Sequence, residues 1–226
     1  MTTHYKDLHA VAPTNMAVFR RVSHQGAYGL LFKRVLDIAF VVAVAPIALP
    51  LILVAALLVA TDGHAPFYMQ KRVGRFGGVF GMVKLRSMVL GADEVLAEYL
   101  GRNPEANAEW NLSQKLRKDP RITKVGRFLR KSSLDELPQL WNVLVGDMSV
   151  VGPRPITEAQ RGLYPGRSYY MLQPGITGLW QVKGRGTMTF DERLRLDIEY
   201  IKQRSALLDL KLMVLTALAV FRGAGA

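Results

Sequence analysis

The 226-residue chain contains no cysteine, and its four histidines, His4, His9, His24 and His64, all lie before residue 65. Without cysteine there is no disulfide, no thiolate nucleophile and no cysteine-ligated zinc or iron–sulfur site, which fits a reducing compartment. A Ser-His-Asp triad finds no histidine to draw on in the later part of the chain. Neither a GxxxxGK[ST] loop nor a GxGxxG following a strand is present, and Gly74, Gly77 and Gly78 read as turn glycines. Acidic residues are scarce: 18 Asp and Glu face 30 Lys and Arg, a net charge of +12. That excess points to a polyanionic partner, whether nucleic acid, an anionic lipid face or a phosphorylated substrate, and charge alone does not choose among them. No internal repeat or low-complexity tract is evident. The length suits one domain, or a domain with an appendage, and the 50% apolar and 21% charged composition supports a sizeable core.

From Val35 to Ala60 the only charge is Asp37. As a helix this run would measure about 39 Å, more than the ~30 Å hydrocarbon core of a bilayer. It reads as a retained membrane segment, since a cleaved signal peptide carries an apolar region of only about 7 to 15 residues. Pro46 and Pro50 each lack an N–H and predict a kink or break near the midpoint. Arg20, Arg21, Lys33 and Arg34 precede the run and Lys71, Arg72 and Arg75 follow it, so the positive-inside rule draws both ends to the cytoplasm. A helix that breaks at the prolines and re-enters satisfies both observations; a Pro-kinked span is the alternative.

Beyond residue 65, strand-like pieces at 66–70 and 79–85 suit a hairpin around Gly74 to Gly78. Helical spacing is visible over 93–100, over 134–145 up to Gly146, and over 190–203. The apolar stretch 206–221 is interrupted by Asp209 and Lys211 and reads as interfacial or buried. The fold class is α+β, helix-dominated.

Eight bases, Lys115, Arg117, Lys118, Arg121, Lys124, Arg127, Arg130 and Lys131, face Asp119 alone. A solvated helix face normally mixes signs, so one-signed charge argues for a phosphate or headgroup. Directly after it stands Ser132-Ser133-Leu134-Asp135-Glu136-Leu137-Pro138. Ser133 and Glu136 can form a capping box, with the carboxylates favouring the helix dipole. That start would place Pro138 where its missing N–H costs a helical bond, whereas a start at Asp135 makes the loss free. In either register the helix end and Arg130 are expected to depress the carboxylate pKa values, and ionised oxygens can attack phosphorus or bind Mg²⁺. Further on, Arg154 sits between Pro153 and Pro155. It is either a stiffened guanidinium suited to bidentate phosphate binding or a solvated residue in a proline-rich connector.

Longer blocks now come together: KRVLD at 33–37, FYMQKRVGRFGGVFGMVKLRSM at 67–88, DPRITKVGRFLRKSSLDELPQLWNVLVGDMSVVGPRP at 119–155 and QPGITGLWQVKGR at 173–185. With them the chain resembles the bacterial polyprenyl-phosphate sugar-1-phosphate transferases, the monotopic phosphoglycosyltransferases, from Lys33 to about Phe221. The stretch NPEANAEW at 103–110 is most similar to members that initiate exopolysaccharide with galactose-1-phosphate. The resemblance implies a monotopic membrane protein with a Pro-broken re-entrant membrane helix, amphipathic interfacial helices and a small β-sheet or hairpin. Residues 1–29, of mixed polarity without clear periodicity, read as a weakly ordered arm, and the resemblance implies the re-entrant helix over 30–62 and a membrane-associated catalytic domain over 63–226, on the cytoplasmic face of the bacterial inner membrane. Asp135 matches the family nucleophile and Glu136 its partner, the pair associated with Mg²⁺. Arg130 and Arg154 match phosphate-binding residues, Lys84 and Arg86 fall in a further motif read the same way, and Pro46 and Pro50 mark the membrane break. One departure is Ala45-Pro46, where many relatives have Ser-Pro. The implied substrates are a UDP-sugar and undecaprenyl phosphate, with inner-membrane lipids as partners and no nucleic acid. A non-catalytic basic module anchored on lipid or nucleic acid is the rival reading, and a direct ternary mechanism with Asp135 only as metal ligand is a second.

Overall fold

The computed structural model describes residues 30–113, 116–164, 169–184, 188 and 190–221. The arm expected over 1–29 and Lys115 of the basic run lie outside them. Helix α1 (Leu30–Ala60) leads into an antiparallel hairpin of β1 (Phe67–Val73) and β2 (Val79–Leu85). Helices α2 (Ala92–Arg102), α3 (Pro104–Ser113) and α4 (Lys124–Ser132) follow, then a 3-10 turn at Leu134–Glu136 and helix α5 (Gln139–Val145). Strands β3 (Ser149–Val151) and β4 (Gly175–Thr177) pair in parallel, and α6 (Leu179–Lys183), α7 (Phe190–Gln203) and α8 (Ala206–Phe221) complete the chain. This is the helix-dominated α+β class expected, and one long apolar helix makes it compatible with a monotopic membrane protein.

The hairpin, α2, α7 and α8 lie where the sequence pattern puts them. Helix α3 has no such pattern and opens on Pro104, whose fixed φ and missing N–H suit a first helical position. Helix α1 continues through both Pro46 and Pro50 for 31 residues, so the prolines do not divide it into two separate helices. Each proline removes only its own N–H, and the bonds on either side continue the helix.

Two charges expected to flank the membrane segment are instead its internal fastenings. Lys33 donates to Asp209 of α8 at 2.6 Å, and Arg34 donates to the Val143 and Leu144 carbonyls, where its charge meets the negative end of α5. Asp37 accepts from the Ser149 hydroxyl and the Val150 N–H, each at 3.0 Å. The middle of α1 contributes Val41 and Ala48 to the main core, with Leu140, Val143, Val150, Tyr200 and Leu212. Its far end packs Ala55, Ala56 and Val59 with Leu85 and Leu129. Each fully buried aliphatic side chain of Val or Leu size contributes about 1.5 to 3 kcal/mol, so this stripe holds α1 along its length. The opposite face leaves Val42, Ile47, Leu49, Leu53 and Leu57 exposed.

Helix α8 repeats the pattern, burying Asp209, Leu212 and Met213 while exposing Leu207, Leu210, Val214 and Leu218. Helix α5 is fixed by Asn142, whose side-chain oxygen accepts from Val83 N–H at 2.9 Å and whose amide donates to the Gly81 carbonyl at 2.8 Å. Asn142 thus extends the β2 hydrogen-bond ladder as a neighbouring strand would, and brings α5 against the strand that carries Lys84.

Candidate active site

Helix α4 begins with Thr123, whose hydroxyl accepts from Gly126 N–H at 2.8 Å. Gly126 is needed for packing: a Cβ there would lie 1.9 Å from the Ser87 carbonyl oxygen. The flush contact brings Arg130, one turn later, within 2.9 Å of the Ser87 hydroxyl through its Nε. The helix ends at Ser133, a non-glycine residue at φ 56°, whose N–H returns to the Arg130 carbonyl at 3.2 Å. The reversal sends Leu134 into the cluster under the end of α1 and leaves Asp135 buried at 7% exposure.

The expected capping box does not form. Ser133 terminates α4 in the left-handed region and makes no side-chain cap, and the next α-helix starts only at Gln139 with Pro138 as its N-cap. The chain there turns too tightly for Ser133 and Glu136 to bond reciprocally, and Pro138 loses nothing at the cap position.

The two carboxylates differ electrically. Burial, and secondarily the charge of Glu136, push Asp135 up to about 6 against the pull of Lys84 and Arg130. This overturns the expected depression of Asp135, because loss of water outweighs nearby cations at this depth. For half-buried Glu136 the balance reverses: burial raises it, but Lys84, Arg154 and Arg72 outweigh burial and hold it low. Lys84 on β2 donates to Glu136 Oε1 at 2.7 Å. The Asp135 carboxylate is bonded by its own backbone N–H, and no other residue bonds it among the described residues.

Arg154 is held by its backbone. Its N–H faces both oxygens of buried Asp197 at 3.3 and 3.4 Å, its carbonyl accepts from the Tyr169 hydroxyl, and its guanidinium stacks 4.6 Å from the Trp180 ring centre. Asp197 also accepts from the Tyr164 hydroxyl at 3.0 Å. The connector reading of Arg154 thus gives way to an anchored one. Arg72, read from the sequence only as a charge flanking the membrane segment, belongs to the same surroundings as a charge acting on Glu136.

The Nε of Arg86 donates to the Ala65 carbonyl at 2.9 Å, Nη1 to Asp62 at 2.8 Å, and Nη2 to Asp62 at 2.6 Å. Every nitrogen of the fork makes a bond inside the protein, so Arg86 ties the end of β2 to the end of α1. Of the basic run, Arg121 pairs with Asp119 at 2.7 Å while Lys124, Arg127 and Lys131 stay exposed beside exposed Phe128.

Asp135 and Glu136 present hard oxygen donors, and one Glu136 oxygen is already taken by Lys84. Mg²⁺ is commonly held by one or two carboxylates plus substrate phosphate, so this donor set fits that ion. No cluster of three or more His, Asp or Glu suited to a metal occurs among the described residues.

A buried carboxylate, Asp135, thus lies amid lysine and arginine near the end of the long apolar helix α1. The family model of the bacterial sugar transferases matches residues 28–223, and the chain belongs to that family. It is 45% identical over 196 residues to a UDP-galactose-lipid carrier transferase of Erwinia amylovora and 47% identical over 196 residues to an undecaprenyl-phosphate galactose phosphotransferase of Salmonella typhimurium. Those alignments cover 86% of this chain but 41% of each relative, so the chain spans less than half their length. It is also 44% identical over 171 residues to the exopolysaccharide production protein ExoY of Rhizobium meliloti, covering 75% of this chain and 76% of that protein.

Proposed function

We propose that the protein transfers a sugar-1-phosphate, with galactose favoured, from a UDP-sugar to undecaprenyl phosphate, yielding undecaprenyl-diphosphate-sugar and UMP as the opening membrane step of exopolysaccharide assembly. The observation that carries this reading is Asp135, buried yet bonded by no other residue's donor among the described residues, under the charges of Lys84 and Arg130 in a chain of the sugar transferase family. The Asp135 carboxylate attacks the phosphorus bonded to the sugar, and the bond to the bridging oxygen breaks, releasing UMP. The lipid phosphate then displaces Asp135 from the resulting aspartyl-phosphosugar. Two successive displacements let a water-soluble donor and a bilayer-bound acceptor use one site in turn, so two large anions need not be held together. Lys84 and Arg130 offset phosphoryl charge, and the bond from Lys84 orients Glu136. Mg²⁺, when bound, would be held by Glu136 and Asp135 and would neutralise phosphate charge.

The test is UMP release from a panel of UDP-sugars by purified protein with undecaprenyl phosphate. Release with UDP-galactose is expected; silence with every donor overturns the reading in favour of a non-catalytic module. Labelled sugar-phosphate trapped on the protein without acceptor separates the covalent route from a ternary one.

The proposed setting is the cytoplasmic face of the inner membrane, with both ends of α1 held on that face. Support comes from its two ends: Lys33 bonds α8, while Asp62, just beyond the helix, bonds Arg86 of the hairpin domain. A helix of about 46 Å that crossed a bilayer could not offer both ends to one polar domain on one side. A single cysteine placed at Thr14, outside the described residues, is expected to react only with cytoplasmic reagent. Periplasmic labelling would establish a span and leave the Asp135 chemistry standing.

A further inference from the structure

Three buried N–H donors lack an acceptor among the described residues: Arg72 Nε, Trp180 Nε1 and Arg193 Nε. They come from β1, α6 and α7, remote in sequence, and they gather around Arg154. The guanidinium carbons of Arg154 and Arg193 lie 4.6 and 5.3 Å from the centre of the same Trp180 ring. The end of β1 is bonded to the Arg154 loop through Val73 N–H and the Ile156 carbonyl at 2.9 Å. Arg72 and Arg193 are each steadied by one other nitrogen, on Gln70 at 2.7 Å and the Met188 carbonyl at 3.0 Å. None of the three arginines joins an ion pair among the described residues.

Burial first, and then the charge of Arg154, lower both Arg72 and Arg193, so the cations repel one another at a partly dry site. Two carboxylates are near. Glu136 already accepts from Lys84, and Asp197 is occupied by the Arg154 N–H and Tyr164. Orphaned donors on mutually repelling guanidiniums are the complement of a multiply charged oxyanion.

We infer that Arg72, Arg154, Arg193 and the Trp180 N–H form a subsite for the phosphate that departs with the nucleoside, apart from the Arg130 side of the site. This rests on the transferase reading above. Arg130 turns its Nε to the Ser87 hydroxyl at 2.9 Å, Arg154 and Arg193 flank the Trp180 ring, and Lys84 bonds Glu136 at 2.7 Å. The cations therefore have separate anchorages, which suits the two phosphorus atoms of a sugar nucleotide that share one oxygen. As the Asp135 oxygen–phosphorus bond forms, the bridging oxygen keeps the electron pair of the bond it loses and leaves on the nucleoside monophosphate. The arginine subsite receives that charge without needing a proton.

The test uses the full chain in nanodiscs, with UMP and uridine as equilibrium probes. Arg193→Gln is expected to weaken UMP binding roughly 10- to 100-fold, the scale of a lost charge-assisted hydrogen bond, while leaving uridine binding unchanged. Trp180→Phe keeps the ring and loses one donor, and is expected to weaken UMP about 3- to 10-fold; it carries the same test if Arg193→Gln fails to fold. Both variants should lower kcat/KM for the UDP-sugar and leave kcat/KM for undecaprenyl phosphate unchanged. UMP binding that survives both substitutions overturns the subsite alone. A loss confined to the lipid phosphate also overturns it and assigns the cluster to the acceptor. A wild-type protein that binds neither UMP nor UDP-galactose overturns the transferase reading and the subsite with it.

Discussion

Asp135→Asn is expected to abolish UMP release, by between about 10⁴- and 10⁶-fold, the range seen when one member of a covalent catalytic unit is removed. The same substitution should make the protein more stable at alkaline pH. Asp135 is raised to about 6 in the folded state, chiefly by burial, against an unfolded value near 3.8. The folded protein therefore binds this proton more tightly than the unfolded chain, and stability from this group falls as pH rises from about 4 to 6. Above pH 6 the full cost of a buried carboxylate is present, about 3 kcal/mol for a shift of roughly two units. Asparagine never ionises, so Asp135→Asn should gain up to about 3 kcal/mol at pH 8 and almost nothing at pH 4. Denaturant midpoints at the two pH values read this directly. Equal midpoint shifts at both would show that Asp135 is not a buried titrating group, and wild-type UMP release from the variant would remove it as nucleophile. In the wild type, kcat/KM for the donor should fall about tenfold per pH unit below 6 as the nucleophile protonates.

The contrast between Asp135 and Glu136 shows where the sequence stops being informative. That two carboxylates follow a basic helix is plain from the letters, and so is the hairpin that brings Lys84, because turn glycines and strand-forming residues are local signals. Which carboxylate is dry depends on Ser133 turning left-handed and on Leu134 entering a cluster built by Ala55, Leu85 and Leu129. Those contacts join remote segments, and no local pattern encodes them. Arg86 and Arg130 illustrate the same limit: both are arginines in motif blocks, yet one spends its fork on Asp62 while the other turns to Ser87 near the carboxylates. Arg154 kept two readings in the sequence because Asp197 and Trp180, which anchor it, lie 43 and 26 residues further on. The prolines of α1 show a different limit, since a proline's local cost does not decide whether packing carries the helix through.

Lys33→Met should be the most damaging single change outside the site. Lys33 is 9% exposed and Asp209 is 0% exposed, with 2.6 Å between Nζ and Oδ2. The pair joins the first turns of α1 to α8, next to Tyr200, whose hydroxyl lies 2.9 Å from Asp209 and 3.1 Å from the Val151 carbonyl. A buried pair of this kind gives little net stability compared with a well-packed apolar substitute, because both ions have been stripped of water. Removing one partner is a different matter, since the remaining carboxylate keeps its desolvation cost without its counter-ion, typically about 3 to 5 kcal/mol. Lys33→Met keeps the length of the side chain, so the loss comes from the stranded charge rather than from a cavity. Adding Asp209→Asn removes that charge while leaving an oxygen for Tyr200, and the double variant should recover most of the stability. Unfolding in micelles, followed by tryptophan fluorescence, gives the three midpoints. A Lys33→Met midpoint equal to wild type, or a double variant as unstable as the single, would show that α1 docks on the rest of the protein without this pair.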